Sequence, residues 1–117
     1  MSLEEIRKKV VEFRKERNWE QFHNPKDLAL SLSLEASEVL EIFQWKRTLE
    51  EIKETAKEKK EELSEEMADV LLYLVNLADI TGIDLKESAL KKIEKNAKKY
   101  PVKKCRGKSD KYTHYQS

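Results

Sequence analysis

The sequence predicts an all-α protomer of four main helices, and three observations carry that prediction. Apolar residues recur at spacings of three and four along most of the chain, the period of a helix with one buried face. Two glycines and two prolines among 117 residues leave few places for the tight turns that a sheet-rich fold needs. The capping signals that do occur, Asn24 before Pro25, Thr48 three residues before Glu51, and Gly82 followed by Asp84, are those of helix ends.

The first helix is expected from about Leu3 to Arg17, where Ile6, Val10, Phe13 and Arg17 share one face and charged residues cover the other. The segment NWEQFHNPK, Asn18 to Lys26, breaks the rhythm. Pro25 then suits the first turn of a second helix capped by Asn24 and running to about Lys46. That helix is apolar on more than one side, with Leu28, Leu30, Leu32, Leu34, Val39, Leu40, Ile42 and Phe43, so it should be covered from several directions. Thr48 and Glu51 form a capping-box pattern opening a charged stretch, either its own helical piece or a projecting loop, that leads into a third helix ending near Thr81. Gly82 stops it, and Asp84 caps a fourth helix to about Lys99. The basic tail from Tyr100 to Ser117 is expected to be irregular.

At this length the chain is expected to be one domain, a helical core over about 3–99 with a tail over 100–117. Its 40% charged residues balance to a net charge of +1, which gives no ground for a nucleic-acid polymer or an anionic membrane as partner. One cysteine, Cys105, excludes an internal disulfide framework and a zinc-ligand set. With no signal-like start and no apolar run near the roughly 20 residues that span a bilayer, a cytoplasmic location is expected. The second helix carries more apolar surface than three neighbours cover, so a homodimer or a dimer of dimers is expected.

Chemistry is concentrated in four acids. Seven pairs of acids lie three residues apart, and most fall in solvated charged runs such as ETAKEKKEELSEE. Two pairs differ: Glu35 and Glu38 stand among Leu32, Leu34, Val39 and Leu40, and Glu66 and Asp69 among Met67, Val70, Leu71 and Leu72. Residues three apart share a helix face. An ionised carboxylate in apolar surroundings must be paired, metal-bound or protonated. Two such pairs on facing helices would converge as a cradle for a hard divalent cation, and magnesium, which takes oxygen ligands and shares them with phosphates, fits that description.

With these residues in view, the chain resembles the MazG-like all-α nucleoside triphosphate pyrophosphohydrolases. Their signature of two acids three apart, a variable gap and Glu-x-x-Asp corresponds here to Glu35-x-x-Glu38 and Glu66-x-x-Asp69. RNWEQFHNPKDLALSLSLEASEVLEIFQWK, EELSEEMADVLLYLVNLADITGIDL and NAKKYPVKKCRGKSDKY look most like the dCTP pyrophosphatase branch, over most of the chain. The resemblance implies a four-helix MazG-like bundle. It also implies Mg²⁺-dependent cleavage of a nucleoside triphosphate between the α and β phosphates, giving a monophosphate and pyrophosphate, with dCTP or modified and non-canonical nucleotides as substrates. On it, Glu35, Glu38, Glu66 and Asp69 are the metal ligands and catalytic acids. Trp19 and Trp45 fall where members enclose the base, Tyr73 and Asn96 where they contact the sugar, and Lys92 where a cation faces the phosphates. By residue type alone, a Trp in a small bundle is as readily core or interface. Where animal members carry a base-facing histidine on the first helix, this chain has Val10, which puts cytosine preference in question.

His23 and His114 fall in loop segments without ligand spacing to an acid pair, and a di-iron bundle would want Glu-x-x-His. The tail bases Lys103, Lys104, Arg106, Lys108 and Lys111 read equally as a solvated run or as a flap over a triphosphate. The alternative to catalysis is a helical module that only binds nucleotides or partners, against which an intact set of four acids argues.

Overall fold

A computed structural model describes residues 2–107. Lys108, Lys111 and His114, named above, lie outside the described residues. Helix α1 spans Leu3–Glu16, a short 3₁₀ turn Glu20–Phe22, α2 Pro25–Phe43, α3 Leu49–Glu58, α4 Lys60–Thr81, α5 Leu85–Lys99 and α6 Val102–Cys105. The chain divides into two compact units, one through Ile83 and the other from Asp84 on.

Local chemistry sets the helix ends. Ser2 Oγ accepts from Glu5 N at the start of α1, and Asn24 Oδ1 accepts from Asp27 N at the start of α2, where Pro25 occupies the first turn. Thr48 Oγ1 accepts from Glu51 N, while Glu51 Oε2 accepts from Arg47 N, a capping box displaced by one residue. Gly82 ends α4 at φ 71°, a left-handed conformation that costs a residue with a Cβ, and Asp84 caps α5.

The first unit is organised around α4, which packs mainly along α2 and also meets α1 and α3. Leu28 and Ile42 of α2 and Val75 and Ala78 of α4 are its buried apolar residues among the described ones, Leu28 and Val75 fully so. Of the two readings open for the charged stretch, it is its own helical piece: α3 and α4 are separated at Lys59, whose backbone leaves the helical region. The break lets α3 pack on α2 as well as α4 and bury Thr55, whose hydroxyl is satisfied by Glu51 O at 2.8 Å. Helix α2 stops at Phe43 rather than Lys46, and the start of the tail is not irregular, since Val102–Cys105 forms one helical turn.

The stripe assigned to α1 is also altered. Arg17, placed on the apolar face, is at the helix end, exposed, with its guanidinium carbon 3.6 Å from the Phe13 ring centroid. Arg14 points inward instead because α4 supplies an acid there: its Nη2 donates to Asp79 Oδ2 at 2.5 Å, and Arg7 Nη1 donates to Asp79 Oδ1 at 2.7 Å. Burial alone would raise the Asp79 carboxyl, but the hydrogen bonds from Arg14 and Arg7 outweigh it and hold it below the usual carboxylate range. Together they tie α1 to α4.

Helix α2 keeps Leu30, Leu34 and Leu40 exposed, and α4 does the same with Met67, Leu71 and Leu72. No helix among the described residues is long and apolar enough to cross a membrane.

Candidate active site

Packing of α2 against α4 brings acids from both helices together. Glu35, Glu38 and Glu66 each offer a carboxylate oxygen within 4.8 Å of the others. Glu35 and Glu66 are half-buried and Glu38 is exposed. The Oε2 atoms of Glu35 and Glu66 are buried without a hydrogen-bond partner. Asp69 is outside this trio but close enough to act on it, one turn beyond Glu66.

The electrostatics are those of a negative cluster on which no cation acts among the described residues. The Glu66 carboxyl is pushed up to about 7, first by sharing a hydrogen bond with Glu38, then by burial and by the charges of Glu38, Glu35 and Asp69. Burial is the leading cause of the upward shift at Glu35, followed by its hydrogen bond and charge interaction with Glu38 and the charge of Asp69. Crowded oxygens, orphaned lone pairs and a raised proton affinity fit a hard divalent cation, which would satisfy all three.

Asp69 also joins the acids to a cleft of ≈ 460 Å³ lined by α1, the turn after it and α4. Tyr73 and Asn76 follow Asp69 at four and seven residues, successive turns of one helix face, and both line it. Trp19 lines the cleft and stands edge-on to Phe13, with ring centroids 5.7 Å apart. Trp45 does not line it: it lies beyond the end of α2 and is 81% exposed. Lys92 and Asn96 are one turn apart on α5, both exposed.

Sequence reasoning missed Arg14, His23 and Asn76, all in the cleft lining. Arg14 Nη1 donates to Asn76 Oδ1 at 3.2 Å, and its Nε faces Glu20 Oε1 at 3.4 Å. His23 has a buried Nδ1 with no partner, and its imidazole is shifted down, first by burial and then by the Arg14 charge, so it is neutral at neutral pH. A signal for Arg14 was present in Asp79, a lone acid in the apolar run NLADI that calls for a cation, and in the four-residue step from Val10.

Comparisons with known proteins agree with this architecture. The MazG-like family profile matches residues 30–114. The chain is 43% identical over 113 residues to rat (Rattus norvegicus) dCTP pyrophosphatase 1, covering 96% of this chain and 66% of that protein. It is 42% identical to the human (Homo sapiens) protein of the same name over the same shares. It thus spans about two thirds of the length of these curated relatives. A crystal structure of a pyrophosphatase from Archaeoglobus fulgidus superposes with a TM-score of 0.81 at 47% identity, covering 84% of this chain and 91% of the other. With 85 of its 117 residues inside the family profile and Glu35 and Glu38 of α2 meeting Glu66 of α4, this chain belongs to the MazG-like family.

Proposed function

We propose that the protein is a Mg²⁺-dependent nucleoside triphosphate pyrophosphohydrolase that cleaves between the α and β phosphates of dCTP or related modified and non-canonical nucleotides. The observation that carries this reading is the trio of carboxylates within 4.8 Å with two orphaned oxygens, one helical turn from Asp69, which lines the neighbouring cleft. The names of the relatives, dCTP pyrophosphatase 1 and a pyrophosphatase, support it.

Glu35, Glu38 and Glu66 would hold the cation, with Asp69 completing the set from the next turn of α4. When bound, such a cation supplies positive charge against the phosphates and lowers the pKa of water. The protein's own residues do the rest by position. Glu66, whose raised proton affinity comes from the crowding of Glu38, Glu35 and Asp69, would give up its proton as the cation binds. Phe13 and Trp19 supply an aromatic wall for the base, while Tyr73, one turn from Asp69 in the same lining, is proposed to contact the sugar. Lys92 and Asn96 are proposed phosphate and sugar contacts. Trp45 is proposed to enclose the base from a second copy of the chain, since it is exposed and outside the lining of its own cleft.

Phosphorus NMR of a reaction with dCTP and Mg²⁺ tests the bond that is cut. A monophosphate and pyrophosphate in equal amounts are expected. Orthophosphate and a diphosphate would contradict the proposal.

A further inference from the structure

Arg14 is the one buried charged side chain among the described residues, and it lies in the wall of the cleft. A guanidinium has five N–H donors and no acceptor. Asp79, Asn76 and, at longer range, Glu20 take one donor each, so Nη1 and Nη2 each keep an N–H with no partner among the described residues. The group is held rigidly. Arg7 grips the other oxygen of Asp79, and Asn76 Nδ2 donates to Leu72 O, which fixes the Asn76 carbonyl toward Arg14. Arg14 also stands at a defined depth: Asn76 is seven residues beyond Asp69, about 10 Å along α4. With triphosphate at the acids, the part of a nucleotide that reaches Arg14 is the base edge remote from the sugar.

We propose that Arg14 is a specificity-determining residue that, among the nucleotides the site turns over, favours bases with an oxo group on that edge over bases with an amino group there, so that dCTP is a substrate but a poorer one than its oxo counterpart dUTP. The favoured groups are O4 of uracil and thymine and O6 of guanine and hypoxanthine; cytosine and adenine carry the amino groups. The inference rests on the pyrophosphohydrolase reading of the site. An oxo group accepts from the free guanidinium N–H groups, whereas an amino group opposes donor to donor in a buried place and leaves both unpaired. His23 adds the complement: its orphaned Nδ1, in the same lining, can accept from the ring N–H that lies beside the oxo group in all four favoured bases.

The test uses matched pairs that differ by one amino-to-oxo exchange, dCTP against dUTP and dATP against dITP, with pyrophosphate release giving kcat/KM. The oxo member of each pair should be favoured by at least about tenfold. Arg14→Gln can donate to Asp79 yet offers an acceptor as well as donors to the base, and should bring both ratios close to one while circular dichroism stays helical. Equal or inverted ratios in the unmodified protein, with pyrophosphate still released, would overturn the inference alone. Should Arg14→Gln not fold, the unmodified ratios decide. If none of the four nucleotides released pyrophosphate, the activity itself would be wrong. Calorimetric binding of dUMP against dCMP would then decide the base preference: tighter dUMP by about tenfold sustains it, and equal binding overturns it.

Discussion

Glu66 shows how one residue reports on the whole acid cluster. Its carboxyl is raised to about 7 in the folded protein, against 4.5 for an unperturbed glutamate, chiefly because Glu38 shares a hydrogen bond with it. Between those values the folded state binds more protons than the unfolded state, so stability from this group is complete below about 4.5 and is lost as pH rises through about 7. His23, shifted down by burial and by Arg14, acts in the opposite sense below its ordinary value, so the comparison needs a reference protein. Glu66→Gln provides one. The melting temperature of the metal-free protein, relative to that of Glu66→Gln, should fall between pH 5 and pH 8. Millimolar Mg²⁺ at pH 8 should restore it by replacing the lost proton with a cation. Thermal denaturation followed by circular dichroism reads both effects, and a pH-independent difference would mean that the acids do not crowd one another.

Helices were legible wherever their ends carry local chemistry. Asn24 with Pro25, Thr48 with Glu51, Gly82 and Asp84 act as the sequence implied, because a cap is an interaction among residues three or four apart. The break at Lys59 was not legible, since KEKKEE is equally polar on every face and only packing of α3 on α2 fixes where the helix divides. Arg14 was missed for the same kind of reason: its partner Asp79 is 65 residues away. Gly82 tests the local part of this picture. A Cβ there would meet nothing within 4 Å, so Gly82→Ala should be destabilising through its φ of 71° alone, by about 1 kcal/mol. Urea denaturation should show a lower midpoint with an unchanged slope; no loss would mean that the helix end does not depend on a left-handed residue.

At the scale of the molecule, the acid pairs were readable because hydrophobic neighbours made Glu35 and Glu66 costly to leave alone, and packing of α2 on α4 brings them together. The cleft was readable only in part: Val10, Trp19 and Tyr73, singled out by the resemblance, are in its wall, whereas Arg14, outside the segments that carry the resemblance, is recruited by packing. Leu30, Leu34 and Leu40 on α2 and Met67 on α4 remain more than half exposed in one protomer, a larger apolar surface than a lone small domain usually keeps. Self-association is the expected remedy. Light scattering on a size-exclusion column should give a multiple of 13.8 kDa, and a monomer at micromolar concentration would remove the proposed role of Trp45 in a neighbouring site.

The central claim is that the carboxylates of α2 and α4 form a cation-dependent centre for pyrophosphate release. Its most direct test is the rate of pyrophosphate release from dCTP and dUTP across a Mg²⁺ titration, measured for the unmodified protein and for Glu38→Gln, whose exposed position leaves the fold least disturbed. Release should be absent without the cation, rise to saturation with it, and fall by at least about a hundredfold in Glu38→Gln, the scale on which removing one group that stabilises transition-state charge acts. Release that persists in chelator, or Glu38→Gln with unaltered turnover and unaltered Mg²⁺ dependence, would contradict the claim.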